Sequence, residues 1–252
     1  MSARQAVRFE RLGGGTVTRT AAELLGTIRP REQAGARRPR MLLNMVSTLD
    51  GRAALDGGTR GLGGPADLEM LLELRVIADA VLVGSGTLRA EGYGRLMRSP
   101  ERRARRVAQG GTPDPTAVLV SRELDLPWNA TLFAAAEQPV LLYTSSRRRP
   151  PATSAPVEVI RCQGPLLPAM LADLRGRGIA ALLCEGGPTL NRRLVAIDAI
   201  DELFLTLSPL ITADAGEPPI VSGPALPSPV AGSLQWVLRH GSELFLRYRI
   251  ED

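Results

Sequence analysis

The sequence contains no lysine, and all 31 of its cationic side chains are arginines. This absence excludes a lysine Schiff base, and with it ordinary pyridoxal-phosphate chemistry. The 252 residues carry a formal net charge of +5. A basic balance favours anionic ligands, which include phosphorylated metabolites, dinucleotides and nucleic acid. An arginine-only set of cations also fits a bias in genomic base composition, and the sequence does not separate these two explanations.

Cysteine and histidine are scarce, since the chain has only Cys162, Cys184 and His240. No C-x-x-C or H-x-E pair occurs, so we expect no zinc site and no other metal centre. Catalysis of the Ser-His-Asp type would have to use His240, which lies in a segment typical of a C-terminal strand. We therefore interpret His240 as a surface or core histidine.

Long apolar runs are also missing. No run approaches the roughly 20 residues that a membrane-spanning helix needs, and residues 1–15 lack the apolar core of a secretion signal. We therefore expect a cytoplasmic protein with no membrane partner. The run ERRARR at 101–106 has no interleaved aromatic residues. It predicts a solvated loop rather than a nucleic-acid patch, and hence no nucleic-acid partner.

The chain alternates strand and helix patterns and then ends in a hairpin. We expect residues 1–40 to be an N-terminal arm or linker, with a short helix over 20–28 capped by Thr20. Residues 41–252 are predicted to form a single α/β domain, with a mostly parallel central sheet flanked by helices and antiparallel strands at one edge. Strands are predicted at 41–47, 80–83, 116–120, 140–144, 157–161, 179–184 and 203–207, helices at 66–77 and 166–175, and the hairpin at 234–239 with 243–250.

The stretch 179–194 carries the strongest local signal. An apolar strand ends at Glu185-Gly186-Gly187-Pro188-Thr189, and a helical pattern follows. Glycines let a ligand approach the backbone, and a helix N-terminus offers free N–H groups and partial positive charge. The pattern predicts a phosphate-binding turn, with Glu185 at the carboxyl end of the strand, where open α/β sheets bind their ligands. A tight strand–helix corner without a ligand is the alternative.

A second strand–glycine turn, Gly84-Ser85-Gly86-Thr87, repeats this arrangement. Neither turn is the G-x-G-x-x-G fingerprint, and no P-loop is present. Two such turns at one sheet edge could bind the two phosphates of a dinucleotide. Ser121-Arg122, after a third strand, could bind a 2′-phosphate, the group that separates NADP from NAD. An ordinary strand-end turn is the alternative for Ser121-Arg122.

Six segments together resemble the riboflavin-biosynthesis pyrimidine reductase family, which has a dihydrofolate-reductase-like fold. The resemblance runs from about residue 41 to the end of the chain. Its specific signatures are L-D-G, V-G-x-G-T and E-G-G-P-T in this order. The segments are NMVSTLDGR (44–52), GGPADLEMLLELR (63–75), DAVLVGSGTLRAEGY (79–93), VSRELDLP (120–127), LLCEGGPTLN (182–191) and DELFLTLSPLI (201–211).

The resemblance implies a homodimeric, NADPH-dependent reductase of a phosphoribosylamino-pyrimidine. Hydride from nicotinamide C4 would reduce the ring-opened ribose at C1′, and we take 5-amino-6-(5-phosphoribosylamino)uracil as the leading substrate. The alternatives are the 2,5-diamino-pyrimidinone phosphate, dihydrofolate and, in another class, a non-catalytic nucleotide-binding protein. The implied cofactor residues are Val46, Gly84, Gly86, Thr87, Glu91, Ser121, Arg122, Gly186, Gly187, Pro188, Thr189 and Leu190. The implied substrate residues are Asn44, Thr59, Arg75, Arg98 and Glu185.

Arg75 and Arg98 suit a clamp on the ribose 5′-phosphate, because guanidinium binds phosphate in bidentate fashion. An arginine near a helix C-terminus that complements the dipole is the alternative for Arg75. The reduction also needs a proton donor, and Asp50 and Glu185 are the candidate catalytic carboxylates. The sequence does not say which of the two serves.

The chain departs from the family pattern at three points. Asn44 stands where many bacterial members have lysine, whereas archaeal and fungal relatives often have asparagine there, so the choice between a 2-oxo and a 2-amino pyrimidine stays open. Glu91-Gly92-Tyr93 replaces the usual D-D-P. The ligands of the N-terminal zinc deaminase of bifunctional members are absent, so we expect the reductase step only.

Overall fold

The chain forms one eleven-stranded sheet with helices on both faces, in a computed structural model that describes residues 6–13 and 17–251. The strands are β1 (Phe9–Arg11), β2 (Thr18–Arg19), β3 (Arg40–Ser47), β4 (Ala80–Gly84), β5 (Thr116–Val120), β6 (Val140–Thr144), β7 (Val157–Arg161), β8 (Ala181–Cys184), β9 (Glu202–Leu207), β10 (Gly232–His240) and β11 (Glu243–Ile250). The helices are α1 (Ala21–Leu25), α2 (Pro65–Ile77), α3 (Ser85–Glu91), α4 (Pro100–Ala108), α5 (Thr131–Ala134), α6 (Leu166–Gly176) and α7 (Pro188–Val195).

The strand order is β2-β1-β10-β11-β9-β3-β8-β4-β5-β6-β7. All pairs from β9 to β7 are parallel. The hairpin β10–β11 adds antiparallel strands beside β9, and β1 and β2 extend that edge. The predicted α/β class, the mostly parallel sheet and the antiparallel C-terminal hairpin are therefore confirmed.

The two faces of the sheet are covered by separate apolar cores. Leu42 and Val81 point into one core, and their neighbours Leu43 and Leu82 point into the other, because successive side chains of a strand alternate between faces. Every residue of β4, β6 and β8 is buried. Strands covered on both faces form continuous apolar runs, which explains why their sequences gave clear predictions.

Helix α2 has a start and an end that its sequence explains. Gly64 is the N-cap, Pro65 occupies the first helical position, and the helix ends before Ala78 in extended backbone. Pro188 has the same role at the start of α7, as predicted. Within the described ranges, no helix is long and apolar enough to cross a membrane.

The region predicted to be an arm or linker holds regular structure in this fold. Strand β1 pairs with β10, and Phe9 is buried against Phe245, with the two ring centroids 4.9 Å apart. Thr20 caps α1 with a complete capping box, which confirms the predicted cap. A three-residue strand has too little pattern to be recognised locally, and its pairing with the C-terminal hairpin is a long-range event. His240 ends β10, where its Nδ1 lies 2.8 Å from the carbonyl oxygen of Arg8.

The arginine run at 101–106 differs from the prediction, because it belongs to α4 rather than to a loop. Arg102 pairs with Glu69 and Glu73 of α2, at 2.6 and 2.8 Å. Arg106 is fully buried, and its guanidinium donates to backbone carbonyl oxygens at the end of α2. The arginines of this run find their carboxylate partners on α2, some 30 residues earlier in the chain. A local sequence pattern cannot show such partners.

Candidate active site

The two glycine turns meet at one edge of the sheet, because β4 and β8 are parallel neighbours. The Gly84 N–H donates to the Gly186 carbonyl oxygen at 2.7 Å. A Cβ at Gly187 would lie 2.8 Å from the Thr87 hydroxyl oxygen, and Gly186 has φ of +87°. Larger side chains would strain or separate the turns. The structure thus brings the two predicted turns together.

A cavity of about 1000 Å³ opens beside these turns. Of the predicted cofactor residues, Gly84, Gly86, Thr87, Glu91, Ser121, Arg122, Gly187, Pro188, Thr189 and Leu190 line it. Val46 lines a second cavity instead, and Gly186 supports the turn through its carbonyl group. The prolines and leucines at 165–168, which the sequence did not single out, add an apolar wall. We name this space the cofactor cleft, after the predicted cofactor residues that line it.

The cofactor cleft is suited to anions. Helix α7 begins at Pro188, and no side chain caps its N-cap Gly187, so its first N–H groups are free to meet a ligand. Arg122 and Arg193 line the cleft and are exposed. No carboxylate of residues 6–13 or 17–251 forms an ion pair with either arginine. The free N–H groups of α7 and the two arginines suit an anionic ligand.

A second cavity of about 630 Å³ lies next to the cleft, and we name it the substrate pocket, after the predicted substrate residues that line it. Both spaces are lined by Met45, Thr59, Thr87, Glu91 and Glu185, so the two share a wall. All predicted substrate residues line the pocket, namely Asn44, Thr59, Arg75, Arg98 and Glu185. A ligand in the cleft and one in the pocket would therefore meet at this wall.

Glu185 is the centre of a buried polar network. Both of its carboxylate oxygens accept from Arg75, at 2.7 Å each, and one also accepts from the Tyr93 hydroxyl at 2.6 Å. The Glu185 side chain is 3% exposed and the Arg75 side chain 12%. Arg75 donates a further hydrogen bond to the Leu96 carbonyl oxygen. Glu185 therefore binds side chains from α2 and from the segment after α3, not the N–H groups of its own turn.

The network keeps Arg75 and Tyr93 in their protonated forms. Burial raises the pKa of Tyr93 well above its ordinary value, and the Glu185 charge adds to this shift. Burial is the largest single influence on the pKa of Arg75 and lowers it, but the charge and hydrogen bonds of Glu185, together with Tyr93, raise the pKa by more, so the net shift is upward. Arg75 stays a cation and Tyr93 stays a donor, so Glu185 faces donors on both oxygens. Tyr93 was noted in the sequence only as a departure from D-D-P, and its role as the third member of the network was missed.

Arg75 is less available to a phosphate than predicted, because Glu185 and Leu96 occupy its guanidinium. Arg95 and Arg102 also line the pocket, but each pairs with carboxylates of neighbouring elements. Arg98 is exposed and, within the part of the chain that the structure describes, forms no ion pair. Of the two arginines predicted to bind a phosphate, Arg98 is the one whose guanidinium is not engaged by a carboxylate of the described residues.

Asp50 is not brought to the site. It lines neither cavity, and its carboxylate accepts from the backbone N–H groups of Thr212 and Ala213. The Thr48 hydroxyl, ahead of these amides, lowers the pKa of Asp50 to about 2. The prediction of Asp50 as a proton donor at the reacting centre therefore conflicts with its position. The loop of residues 48–51 turns toward residues 212–213, a contact that no local pattern indicates.

Thr59 and Glu91 connect two loops at the shared wall. The Thr59 hydroxyl and backbone N–H each donate to the Glu91 carboxylate at 2.8 Å. This pair ties the glycine-rich segment after β3 to the end of α3. In the described ranges, no group of three or more His, Cys, Asp or Glu side chains is arranged to hold a metal ion.

Comparison with known proteins gives a consistent set of matches. Residues 39–244 match the family described as the RibD C-terminal domain. The 2,5-diamino-6-ribosylamino-4(3H)-pyrimidinone 5′-phosphate reductase of Methanothermobacter thermautotrophicus is 27% identical over 223 residues, or 85% of this chain and 99% of that protein. The reductase of the same name from Archaeoglobus fulgidus is 26% identical over 191 residues, or 74% of this chain and 87% of that protein. A solved pyrimidine reductase-like protein of Corynebacterium diphtheriae has the same fold, with TM-score 0.78 at 21% identity, over 93% of this chain and 100% of that one.

Proposed function

Because this chain belongs to the RibD C-terminal domain family, we propose that it reduces 2,5-diamino-6-ribosylamino-4(3H)-pyrimidinone 5′-phosphate with NADPH. Family membership makes the chain a pyrimidine reductase of riboflavin biosynthesis, an oxidoreductase that uses a nicotinamide cofactor. The observation that carries the proposal is the wall that the cofactor cleft and the substrate pocket share, which consists of Met45, Thr59, Thr87, Glu91 and Glu185.

The choice of pyrimidine departs from the leading substrate of the sequence analysis. The archaeal relatives, 27% and 26% identical, are named for the 2,5-diamino compound and are matched over nearly their whole lengths. Asn44 lines the substrate pocket, and asparagine is the residue that the resemblance implies for archaeal relatives at this position. Both observations favour the 2,5-diamino substrate, previously an alternative, over the 5-amino-uracil compound.

The choice of NADPH rests on the charges of the cofactor cleft. The free N-terminus of α7 and the Gly84 and Gly187 turns suit a pyrophosphate. Arg122, exposed and without an ion-pair partner among the described residues, suits a 2′-phosphate. When bound, the nicotinamide supplies the hydride, and the protein supplies position and charge.

The side chains of the substrate pocket have distinct tasks in this proposal. Arg98 binds the 5′-phosphate as an unpaired cation. Glu185 fixes Arg75 and Tyr93 at the shared wall and presents a negative charge to the reacting ribosylamino group. Because its two oxygens already accept from three donor groups, Glu185 acts through its charge and by positioning Arg75 and Tyr93 rather than as the source of a proton.

An NADPH-oxidation assay tests the proposal. The 2,5-diamino phosphate should be turned over with a higher kcat/KM than 5-amino-6-(5-phosphoribosylamino)uracil, and dihydrofolate should be inert. Preference for the uracil compound would restore the first substrate assignment. Turnover of none of the three, with NADPH bound, would support the non-catalytic nucleotide-binding alternative.

The assembly that we propose is a homodimer formed through the antiparallel end of the sheet. Ile211, just after β9, is 73% exposed, and Leu234 on β10 is 51% exposed. Strands β9 and β10 flank β11 in the sheet, and exposed apolar side chains at one end of a sheet favour a covered surface. Light scattering should give twice the chain mass of 26.9 kDa, and the mass of a single chain at working concentration would reject the dimer.

A further inference from the structure

Asp67 is a carboxylate of the substrate pocket that no motif singled out. It lies in the first turn of α2 and lines the pocket together with Asn44 and Val46 of β3. A Cβ at Gly63 would lie 2.2 Å from its Oδ2 atom. A side chain at position 63 would therefore displace the carboxylate, so the glycine leaves room for it.

The surroundings of Asp67 differ from those of the other pocket carboxylates. The Thr206 hydroxyl of β9 donates to it, and the Glu243 carboxylate of β11 faces it. Glu243 is itself held by the Gly64 N–H at 2.7 Å. Glu185 binds Arg75, whereas Asp67 forms no ion pair within residues 6–13 and 17–251. Asp67 therefore keeps acceptor capacity for a ligand.

The pocket has an acidic end and a basic end. Arg75 follows Asp67 by eight residues of α2, which at about 1.5 Å per residue separates the two by about 12 Å along the helix. Arg75 binds the Leu96 carbonyl oxygen, and this contact brings the segment that carries Arg98 to the carboxyl end of α2. A ligand with a phosphate at one end and hydrogen-bond donors at the other fits this polarity.

We propose that Asp67 binds the N–H edge of the pyrimidine and makes the pocket prefer a 2-amino ring over a 2-oxo ring. This inference rests on the proposed function and assigns its substrate selectivity to one side chain. A 2-amino-4(3H)-pyrimidinone presents the ring N3–H and the exocyclic amino group side by side, two donors for the two oxygens of a carboxylate. A uracil ring presents a carbonyl oxygen in place of the amino group, which a carboxylate repels.

The charge of Asp67 makes this preference depend on pH. Burial raises the pKa of Asp67 to about 6, the Thr206 hydroxyl lowers it, and the Glu243 charge raises it further. The charge that faces it is that of Glu243 from β11. The arginines of the pocket, Arg75 of α2, Arg95 and Arg98 of the segment before α4, and Arg102 of α4, line other parts of its wall. Above pH 6 the carboxylate accepts from the 2-amino ring. Below it, the neutral acid can donate to a 2-oxo group, so the preference should shrink.

Calorimetric titration with the two ribitylamino products, the 2,5-diamino-pyrimidinone and 5-amino-uracil 5′-phosphates, tests the proposal without turnover. In the presence of saturating NADP⁺ at pH 8, the wild-type enzyme should bind the 2-amino product at least about tenfold more tightly, as expected for a charge-assisted pair. Asp67→Asn should reduce this preference to within about threefold. Glu243→Gln should keep the preference and move its pH midpoint downward, because it removes the charge that disfavours ionisation.

The possible outcomes are distinct. An Asp67→Asn enzyme that melts like the wild type and keeps the full preference would overturn the role of Asp67 while leaving the proposed function intact. If Asp67→Asn fails to fold, the wild-type enzyme decides the question. The same preference for the 2-amino product at pH 5 and at pH 8 would also overturn the role of Asp67. If neither product binds, the proposed function is refuted, and this inference with it.

Discussion

The cofactor cleft and the substrate pocket are neighbours built in different ways. The cleft consists mainly of backbone turns at the ends of β4, β5 and β8, each readable as a short glycine or serine motif. The pocket consists of charged side chains that pair across elements, as Arg75 and Glu185 do over a separation of 110 residues. Local motifs therefore locate the backbone of a site, but the availability of a charge depends on partners distant in sequence.

The largest expected effect comes from breaking the pair that defines the pocket. Glu185→Gln leaves the buried Arg75 without its counter-charge, which typically costs about 3–5 kcal/mol of unfolding free energy and lowers Tm by roughly 10 °C in a chain of this size. Turnover should also fall, on the order of a hundredfold, because Arg75 and Tyr93 lose the group that positions them. Thermal melts and initial rates of NADPH oxidation measure the two effects.

Glu158→Gln is the matched control for that change. Glu158 also pairs with an arginine, Arg177, but its side chain is 56% exposed. Exposed pairs contribute little to stability, so Tm and turnover should stay near wild type. If Glu185→Gln melts like Glu158→Gln, the buried network does not hold the pocket together.

The next largest effect distinguishes Arg98 from Arg75, the two arginines predicted to bind the 5′-phosphate. Arg98→Ala should raise the substrate KM roughly ten- to a hundredfold through loss of a charge-assisted contact, with Tm and NADPH affinity unchanged. Arg75→Ala should instead lower Tm, since it leaves Glu185 uncompensated. Arg147→Ala, an exposed arginine outside both cavities, is the control. If removal of the phosphate from the substrate raises KM as much in Arg98→Ala as in the wild type, Arg98 does not bind the phosphate.

A similar effect is expected in the cofactor cleft. Arg122→Ala should weaken NADPH about ten- to a hundredfold and leave NADH nearly unchanged, because only NADPH carries the 2′-phosphate. Fluorescence titration with both cofactors measures the difference. Equal losses for the two cofactors would place the 2′-phosphate elsewhere.

The smallest effect is expected at Asp50. Asp50→Asn should turn over at close to the wild-type rate at neutral pH, because the side chain lines neither cavity. The folded-state pKa of Asp50 is lowered from 3.8 to about 2. Any stability that its ionisation provides is therefore complete above pH 4 and is lost as the pH falls through about 2. A large loss of turnover at pH 7 in this variant would return Asp50 to the reacting centre.

The sequence predicts the parallel strands and the two glycine turns because both signals are local. Buried strands such as β4 and β8 form unbroken apolar runs, and Pro188 marks a helix start. The ion pairs could not be predicted, since α4, Arg75 and Tyr93 find their partners through the fold. Asp67 was missed for the same reason, because its neighbours Thr206 and Glu243 come from β9 and β11.

The central claim is that a nicotinamide in the cofactor cleft and a pyrimidine in the substrate pocket meet at the wall that the two cavities share. Reduction with NADPH deuterated at the transferring position of C4 tests this most directly. Mass spectrometry of the product should find one deuterium, located at C1′ of the ribityl chain. A product without deuterium, or with deuterium on the pyrimidine ring, would contradict the claim.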